Sequence, residues 1–183
     1  MAKGDVMSNR PGKSYKKLFS TACEAPIEAH RDNFDLHHWV FNLSDSDYQN
    51  TARGHIAAGA STHIDGTRTS VNVESVGGNL LVQHYVAEVG EKDYVRMVSY
   101  SDLWLMKLIH VVVKVTWEVR LIHVSENQCA FRNTVTVEHP SFLMQIMSAL
   151  ALGGFFVRKH NEEETPLFAR NLVERSSARR GSA

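Results

Sequence analysis

Residues 111–138 have the sequence VVVKVTWEVRLIHVSENQCAFRNTVTVE. Residues 111–124 and 128–138 are rich in β-branched side chains, and apolar and polar positions alternate along both runs, which is typical of strands. Ser125, Glu126 and Asn127 lie between the two runs and suit a tight turn. The stretch therefore predicts two long strands joined by a hairpin turn.

A long helix is predicted after this hairpin. Pro140 cannot continue a strand ladder, and Ser141 is a suitable N-cap for the apolar residues that follow it. Pro166 either kinks this helix or, together with Thr165, opens a second one. An apolar stripe repeats at helical spacing over roughly eight turns. Its members are Leu143, Ile146, Met147, Leu150, Gly154, Val157, Phe168 and Leu172.

The residues before the hairpin predict further strands and one short helix. Gly77 and Gly78 mark a hairpin turn. Residues 102–110 suit a buried strand and a short helix equally well. The predicted elements are a first strand at 34–43, a short helix at 44–58 that contains His55, and strands at 68–76, 80–89 and 93–101.

These elements predict an α+β fold in which a curved antiparallel sheet of about six or seven strands wraps around the long C-terminal helix. At 183 residues the chain is expected to form one domain. We expect a flexible basic N-terminal arm at 1–31, the domain at 32–176, and a disordered tail at 177–183.

The order of elements resembles the START-like helix-grip (SRPBCC) superfamily, of the polyketide cyclase and lipid-binding type. The best local match is VTWEVR at 115–120, the hairpin turn, FRNTVTV at 131–137, Pro140 and the helix. The resemblance implies a hydrophobic ligand held between sheet and helix, but no invariant catalytic motif. The region between the first two predicted strands is short for the two helices usual there. A cystatin-like cone is the alternative fold, although its long helix comes first.

Composition narrows the class of partner and the location. Lys+Arg and Asp+Glu number 20 each, so no strong field points to nucleic acid as a partner. The two cysteines, Cys23 and Cys129, are typical of a reducing compartment and favour a cytoplasmic location. The sequence contains no apolar run long enough to span a bilayer, so we expect no integral membrane segment.

Strand alternation gives the candidate ligand-binding residues. Trp117, Phe131 and Asn133 fall on the inward sides of the final hairpin. Arg96 and Tyr100 would offer polar anchors if their side of the strand at 93–101 faces inward. The helix is expected to contribute Ile146, Leu150 and Gly154; a glycine there leaves room for a ligand or allows close packing.

Ten histidines invite a general-base or metal hypothesis. His37, His55 and His84 are the candidates for a catalytic base. No zinc-binding spacing occurs, so we predict neither a metal nor a cofactor.

The leading hypothesis is the binding of a small hydrophobic or aromatic molecule. The second is a polyketide cyclase or dehydratase with a pocket histidine or tyrosine, which leaves enzymatic activity open. The third is an oligomerisation module with a filled interior. Leu152 and Phe156 lie on the reverse face of the helix, where they are covered by the N-terminal arm or form a homodimer contact.

Overall fold

A computed structural model describes residues 14–141, 143 and 153–181, and within them one seven-stranded antiparallel sheet packs on a long C-terminal helix. The strand order is β1-β7-β6-β5-β4-β3-β2, so consecutive strands from β2 to β7 are neighbours and β1 closes the other edge. The strands are β1 Lys16–Ile27, β2 His55–Thr62, β3 Arg68–Val76, β4 Asn79–Gly90, β5 Tyr94–Leu105, β6 Ile109–Ser125 and β7 Gln128–His139. The helices are a 3-10 turn at Arg31–Asn33, α1 Leu36–Val40, α2 Asp45–Gln49 and α3 Gly153–Gly181.

The final hairpin is as the sequence predicts. β6 and β7 pair in antiparallel register, with Trp117 opposite Val135 and Val119 opposite Asn133. In both strands alternate side chains are buried, on the face of the sheet that is turned toward the C-terminal helix. The predicted fold class, a curved antiparallel sheet with a long C-terminal helix, is confirmed.

The structure defines residues 102–110, for which the sequence allowed a strand or a helix, and the turn at Gly77 and Gly78. β5 runs on to Leu105, and Met106 and Lys107 form the turn to β6 with positive φ angles of 49° and 60°. The 102–110 region therefore contains the end of β5, the turn and the start of β6, and is not a helix. The Gly77-Gly78 turn has φ angles of 58° and 81°, as a tight turn of this hand requires.

The predicted N-terminal arm is wrong for residues 16–27. They form β1, which pairs with β7 along its length, with Cys23 opposite Asn133. β1 packs against α3, and its residues Ala25 and Ile27 are buried. Residues 1–13 lie outside the described part of the chain.

The predicted strand at 34–43 is wrong, and the predicted helix at 44–58 is present only in its first part. Asp35 accepts a hydrogen bond of 2.8 Å from the backbone N–H of His38 and so starts the helix α1. Ser44 and Asp47 form a capping box that starts α2, but this helix ends at Gln49, and His55 begins β2. The two short helices expected for the resembled superfamily thus lie between β1 and β2.

α3 is one continuous helix within the described residues. Pro166 lies inside it on the exposed side, so the predicted second helix does not exist. Phe168 and Leu172 are buried in the core, in line with the predicted stripe. Residues 177–181 are helical, so the predicted disordered tail is wrong there.

An ion pair ties α3 to α2. Asp47 accepts hydrogen bonds from Arg175, from Asn171 at 3.1 Å and from the backbone N–H of Ser44 at 3.2 Å. Burial raises the pKa of Asp47, but the hydrogen bonds from Ser44 and Arg175 outweigh it, and the pKa lies below its ordinary value of 3.8.

This ion pair predicts a pH-dependent contribution to stability. Because the folded-state pKa of Asp47 is lowered, the contribution is full above the ordinary value and is lost as pH falls through the folded-state pKa. The melting temperature of Asp47→Asn should therefore lie furthest below that of the unvaried protein near neutral pH. The difference should shrink between about pH 5 and about pH 3. A difference that stays constant over this range would contradict the prediction.

Candidate functional site

A cavity of about 410 Å³ lies between the sheet and the first half of α3. β4 to β7 supply most of its apolar wall, and α3 covers it. The lining also includes Gly77, from the turn between β3 and β4, together with Phe156 and Met106. The apolar lining residues of the sheet include Leu81, Tyr85, Leu103, Val113, Val115, Trp117, Val135 and Val137.

Four ionisable side chains meet at one end of this cavity. His55, Glu74, His160 and Glu164 each present a donor or acceptor atom, and these atoms lie within 4.8 Å of one another. Glu74, His160 and Glu164 line the cavity, whereas His55 lies behind them with a completely buried side chain. The cavity therefore has one polar end and an otherwise largely apolar wall.

Three elements place these side chains together. His160 and Glu164 are four residues apart on α3, so they project from the same side of the helix, one turn apart. Glu74 and Asn72 alternate on β3 and face inward. His55 is the first residue of β2, and its ring stacks on that of Tyr48 from α2 at a centroid distance of 3.8 Å.

A buried chain of hydrogen bonds supports Glu164 from the sheet. Trp117 Nε1 donates to Oδ1 of Asn133 at 2.7 Å, and Asn133 Nδ2 donates to Oε1 of Glu164 at 2.8 Å. Asn161 of α3 donates to the backbone carbonyl of Asn133 at 3.3 Å. The polar end is thus held in one arrangement by both layers of the fold.

The charges at this end favour an ion pair between Glu164 and His160. Burial raises the pKa of Glu164, but hydrogen bonds from His160 and His55 outweigh it and lower the pKa to about 2. Burial lowers the pKa of His160, but hydrogen bonds to Glu164 and Glu74 outweigh it and raise the pKa to about 10. At neutral pH His160 is therefore a proton donor rather than a base.

Two tyrosines beside the cluster remain protonated at neutral pH. Burial, followed by the negative charge of Glu74, raises the pKa of Tyr48 and of Tyr85 well above the ordinary value. The hydroxyl of Tyr48 donates to Oε2 of Glu74 at 3.3 Å. Tyr48 and His160 are thus two hydrogen-bond donors at the polar end.

The structure brings only part of the predicted site together. Trp117 lines the cavity. Phe131 and Asn133 are completely buried but lie outside the lining: Phe131 packs on Trp39, and Asn133 supports Glu164. Of the predicted histidines, only His55 belongs to the cluster.

Arg96 and Tyr100 face away from the cavity. The inward side of β5 carries Val95, Met97, Ser99 and Ser101, all buried, whereas Tyr100 is 41% exposed. Arg96 pairs with Glu88 at 3.3 Å on the outer side. The two residues therefore do not fit the predicted role of polar anchors.

His84 and His37 do not fit the predicted catalytic role. His84 lies on the outer side of β4, 3.7 Å from Asp102, because Gln83 and Tyr85 take the inward side. His37 lies on α1, where its ring packs against Gly90 and Phe41.

The predicted helix residues divide into two groups. Gly154 lies against Phe19 of β1 and does not line the cavity. A Cβ at this position would lie 3.4 Å from the Cβ of Phe19, which is ordinary van der Waals contact. Phe156 lies against Gly77 and borders the cavity rather than a reverse face. Ile146, Leu150 and Leu152 lie outside the described residues.

Sequence reasoning missed Glu74, His160 and Glu164. Most of the inward side of β3 is polar, with Ser70, Asn72 and Glu74 buried, while Val71 and Val73 lie on the other side. The apolar stripe of α3 is interrupted between Val157 and Phe168, and polar residues in the interval take the buried positions. This interruption, with His160 and Glu164 one turn apart, was the available signal.

Known structures show the fold of this chain. The Zhui aromatase/cyclase from a Streptomyces species is similar at a TM-score of 0.61 and 8% identity, over 86% of this chain and 94% of that one. A Thermus thermophilus protein is similar at a TM-score of 0.56 and 14% identity, over 87% of this chain and 97% of that one. The chain has the START-like, helix-grip fold.

Sequence comparison adds no family to this START-like fold: no protein-family model and no curated protein matches the sequence. Identities this low carry information about the fold alone. Among the helices that the structure describes, none combines the length and the apolar character needed to cross a membrane.

Proposed function

We propose that this START-like protein binds a small, largely apolar molecule with one polar group in the cavity between the sheet and α3. The observation that carries the proposal is a cavity of about 410 Å³ with apolar walls and its ionisable groups gathered at one end. Small-molecule pockets have about this size and this division between apolar wall and a few placed polar groups. The fold supports it, since the resemblance implies a ligand in this position.

The polar end limits the chemistry of the molecule. Tyr48 and His160 now donate to Glu74, so a carbonyl oxygen of the molecule would take over one of these donors, or a hydroxyl of the molecule would donate to a carboxylate. The apolar wall contains the aromatic rings of Tyr85, Trp117 and Phe168, which suit a planar aromatic molecule. We therefore expect an aromatic compound with an oxygen at one end.

A second candidate function is a cyclase or dehydratase. It is favoured by the buried histidine, glutamate and tyrosine at the cavity end, where His160 would act as a general acid. Loss of water from a bound polyketide-like substrate would support the enzyme, whereas recovery of the molecule unchanged would support a binding protein.

A homodimer through Leu152 and Phe156 stays a prediction.

Filling the cavity tests the binding proposal. Val135 lines the cavity, so Val135→Trp should place an indole where the ligand sits and lower the affinity for an aromatic probe such as 2-naphthol about tenfold or more. The measurement is a fluorescence titration of the folded variant. Val71→Trp is the matched control, because Val71 is 40% exposed on the outer side of β3. Equal affinities in the two variants would overturn the proposal.

A further inference from the structure

We propose that His55, Glu74, His160 and Glu164 bind one divalent transition-metal ion at the polar end of the cavity. Such an ion does not require the organic ligand, because the protein supplies four donor atoms of its own. Three of the four residues line the cavity, so a bound ion would be accessible from it.

The donor atoms have the spacing of a four-coordinate site. Nε2 of His55 lies 3.2 Å from Nε2 of His160, 3.0 Å from Oε2 of Glu164 and 3.7 Å from Oε2 of Glu74. Nε2 of His160 lies 3.2 Å from Oε2 of Glu74 and 3.4 Å from Oε2 of Glu164. Ligands at about 2.0–2.2 Å from a tetrahedral zinc ion are about 3.3–3.6 Å apart. The five histidine-containing pairs need shifts of a few tenths of an ångström, and the two carboxylate oxygens, which lie within 4.8 Å of each other, need to approach by up to about 1.2 Å.

The ring of His55 is held in the form that binds metals. Its Nδ1 lies 2.8 Å from the backbone carbonyl of Tyr48 and 3.0 Å from the hydroxyl of Thr51. A carbonyl only accepts, so Nδ1 carries a hydrogen, and a neutral His55 presents the lone pair of Nε2. That lone pair faces Oε2 of Glu164, another acceptor, so either a proton or a metal ion lies between them. Without a metal ion, a doubly protonated His55 donates to Glu164; a metal ion would take the place of that proton.

Both carboxylates are oriented in the same way. Oε1 of Glu74 accepts from Gln83 Nε2 at 3.0 Å, and Oε1 of Glu164 accepts from Asn133 Nδ2 at 2.8 Å. Each glutamate therefore directs its Oε2 toward the cluster, where Oε2 of Glu74 also accepts from Tyr48. Outer hydrogen bonds of this kind are what position the ligands of protein metal sites.

The donor set indicates the class of ion. Two imidazoles and two carboxylates, with no thiolate, suit Zn²⁺, Fe²⁺, Co²⁺ or Mn²⁺ better than Ca²⁺ or Mg²⁺, which prefer oxygen ligands. A divalent ion also neutralises the two buried carboxylates without a protonated histidine.

The test begins with the full-length protein freed of metal by chelation. Titration with ZnCl₂ in a calorimeter should show one ion per chain, and CoCl₂ should give visible absorption bands of four-coordinate intensity. Saturating Zn²⁺ should also raise the melting temperature, and a chelator should reverse the rise, because the ion binds only the folded state. Absence of binding at one ion per chain, or no change in melting temperature, would overturn the proposal.

Two variants locate the ion. His160→Asn and Glu164→Gln should each lower the Zn²⁺ affinity about 100-fold or more. His110→Asn is the control, since His110 and Asp102 form a half-exposed histidine–carboxylate pair at 2.7 Å. Unchanged affinity in both cluster variants would show that the four residues form only a hydrogen-bonded ion-pair network, with a proton on His160, and would likewise overturn the proposal.

Discussion

Asn133→Asp is expected to lower the free energy of unfolding by about 3–5 kcal/mol. Asn133 is completely buried and donates a hydrogen bond of 2.8 Å to Oε1 of Glu164. Aspartate has nearly the same shape but offers only acceptors, so a second carboxylate would face Glu164 with no proton between them. The acceptor for Trp117 Nε1 is retained, so the loss reports the misplaced charge. Urea-induced unfolding at neutral pH measures it.

Two further variants separate charge from any other effect of this substitution. Asn127→Asp makes the same chemical change in the exposed turn between β6 and β7 and should alter stability by less than about 0.5 kcal/mol. Asn133→Asp combined with Glu164→Gln removes the second carboxylate, so the pair should show a favourable coupling energy in a double-mutant cycle. Equal stabilities of Asn133→Asp and Asn127→Asp would refute the buried hydrogen bond to Glu164.

The strands that could be predicted are those whose inward side is apolar. β6 and β7 alternate apolar and polar residues, so one side of each strand is identified from composition alone. β4 and β5 carry apolar residues on both sides, and only their neighbours decide which side is buried. In β5 the buried positions include Ser99 and Ser101, which no rule based on hydrophobicity would select.

The N-terminal half shows a different limit of sequence reasoning. β1 has a mixed composition and becomes a strand because β7 offers it a free edge, a partner more than 100 residues away. Residues 34–43 are rich in aromatics, which favours a strand, but the local N-cap at Asp35 and burial of Leu36, Trp39 and Val40 give a helix instead. Tertiary contacts outweigh intrinsic preference in both segments.

The polar end of the cavity was largely beyond prediction for the same reason. Its residues come from β2, β3 and α3, and no motif with fixed spacing joins them. Glu74 lies on a strand whose inward side is polar, so the expectation that buried sides are apolar places it in solvent. Only the separation of His160 and Glu164 by one helical turn was visible in the sequence.

Phe168→Ala is expected to lower the free energy of unfolding by about 3–5 kcal/mol. Phe168 is 1% exposed, and its ring lies between those of Trp39, Tyr48, His55 and Trp117 at centroid distances of 5.5, 6.5, 5.7 and 5.8 Å. It is thus the aromatic side chain of α3 that contacts α1, α2, β2 and β6 at once. Truncation removes the ring and leaves a void that four large side chains cannot readily fill, since each is fixed from another element.

Phe155→Ala is the matched control, because Phe155 lies on the same helix and is 50% exposed. Its ring contacts Phe156 and Lys159 on the surface, so its removal should cost less than about 1 kcal/mol. Phe168→Leu should fall between the two alanine variants, since leucine refills part of the void. Urea-induced unfolding of all three gives the comparison. If Phe168→Ala and Phe155→Ala cost the same, Phe168 does not anchor α3 on the sheet.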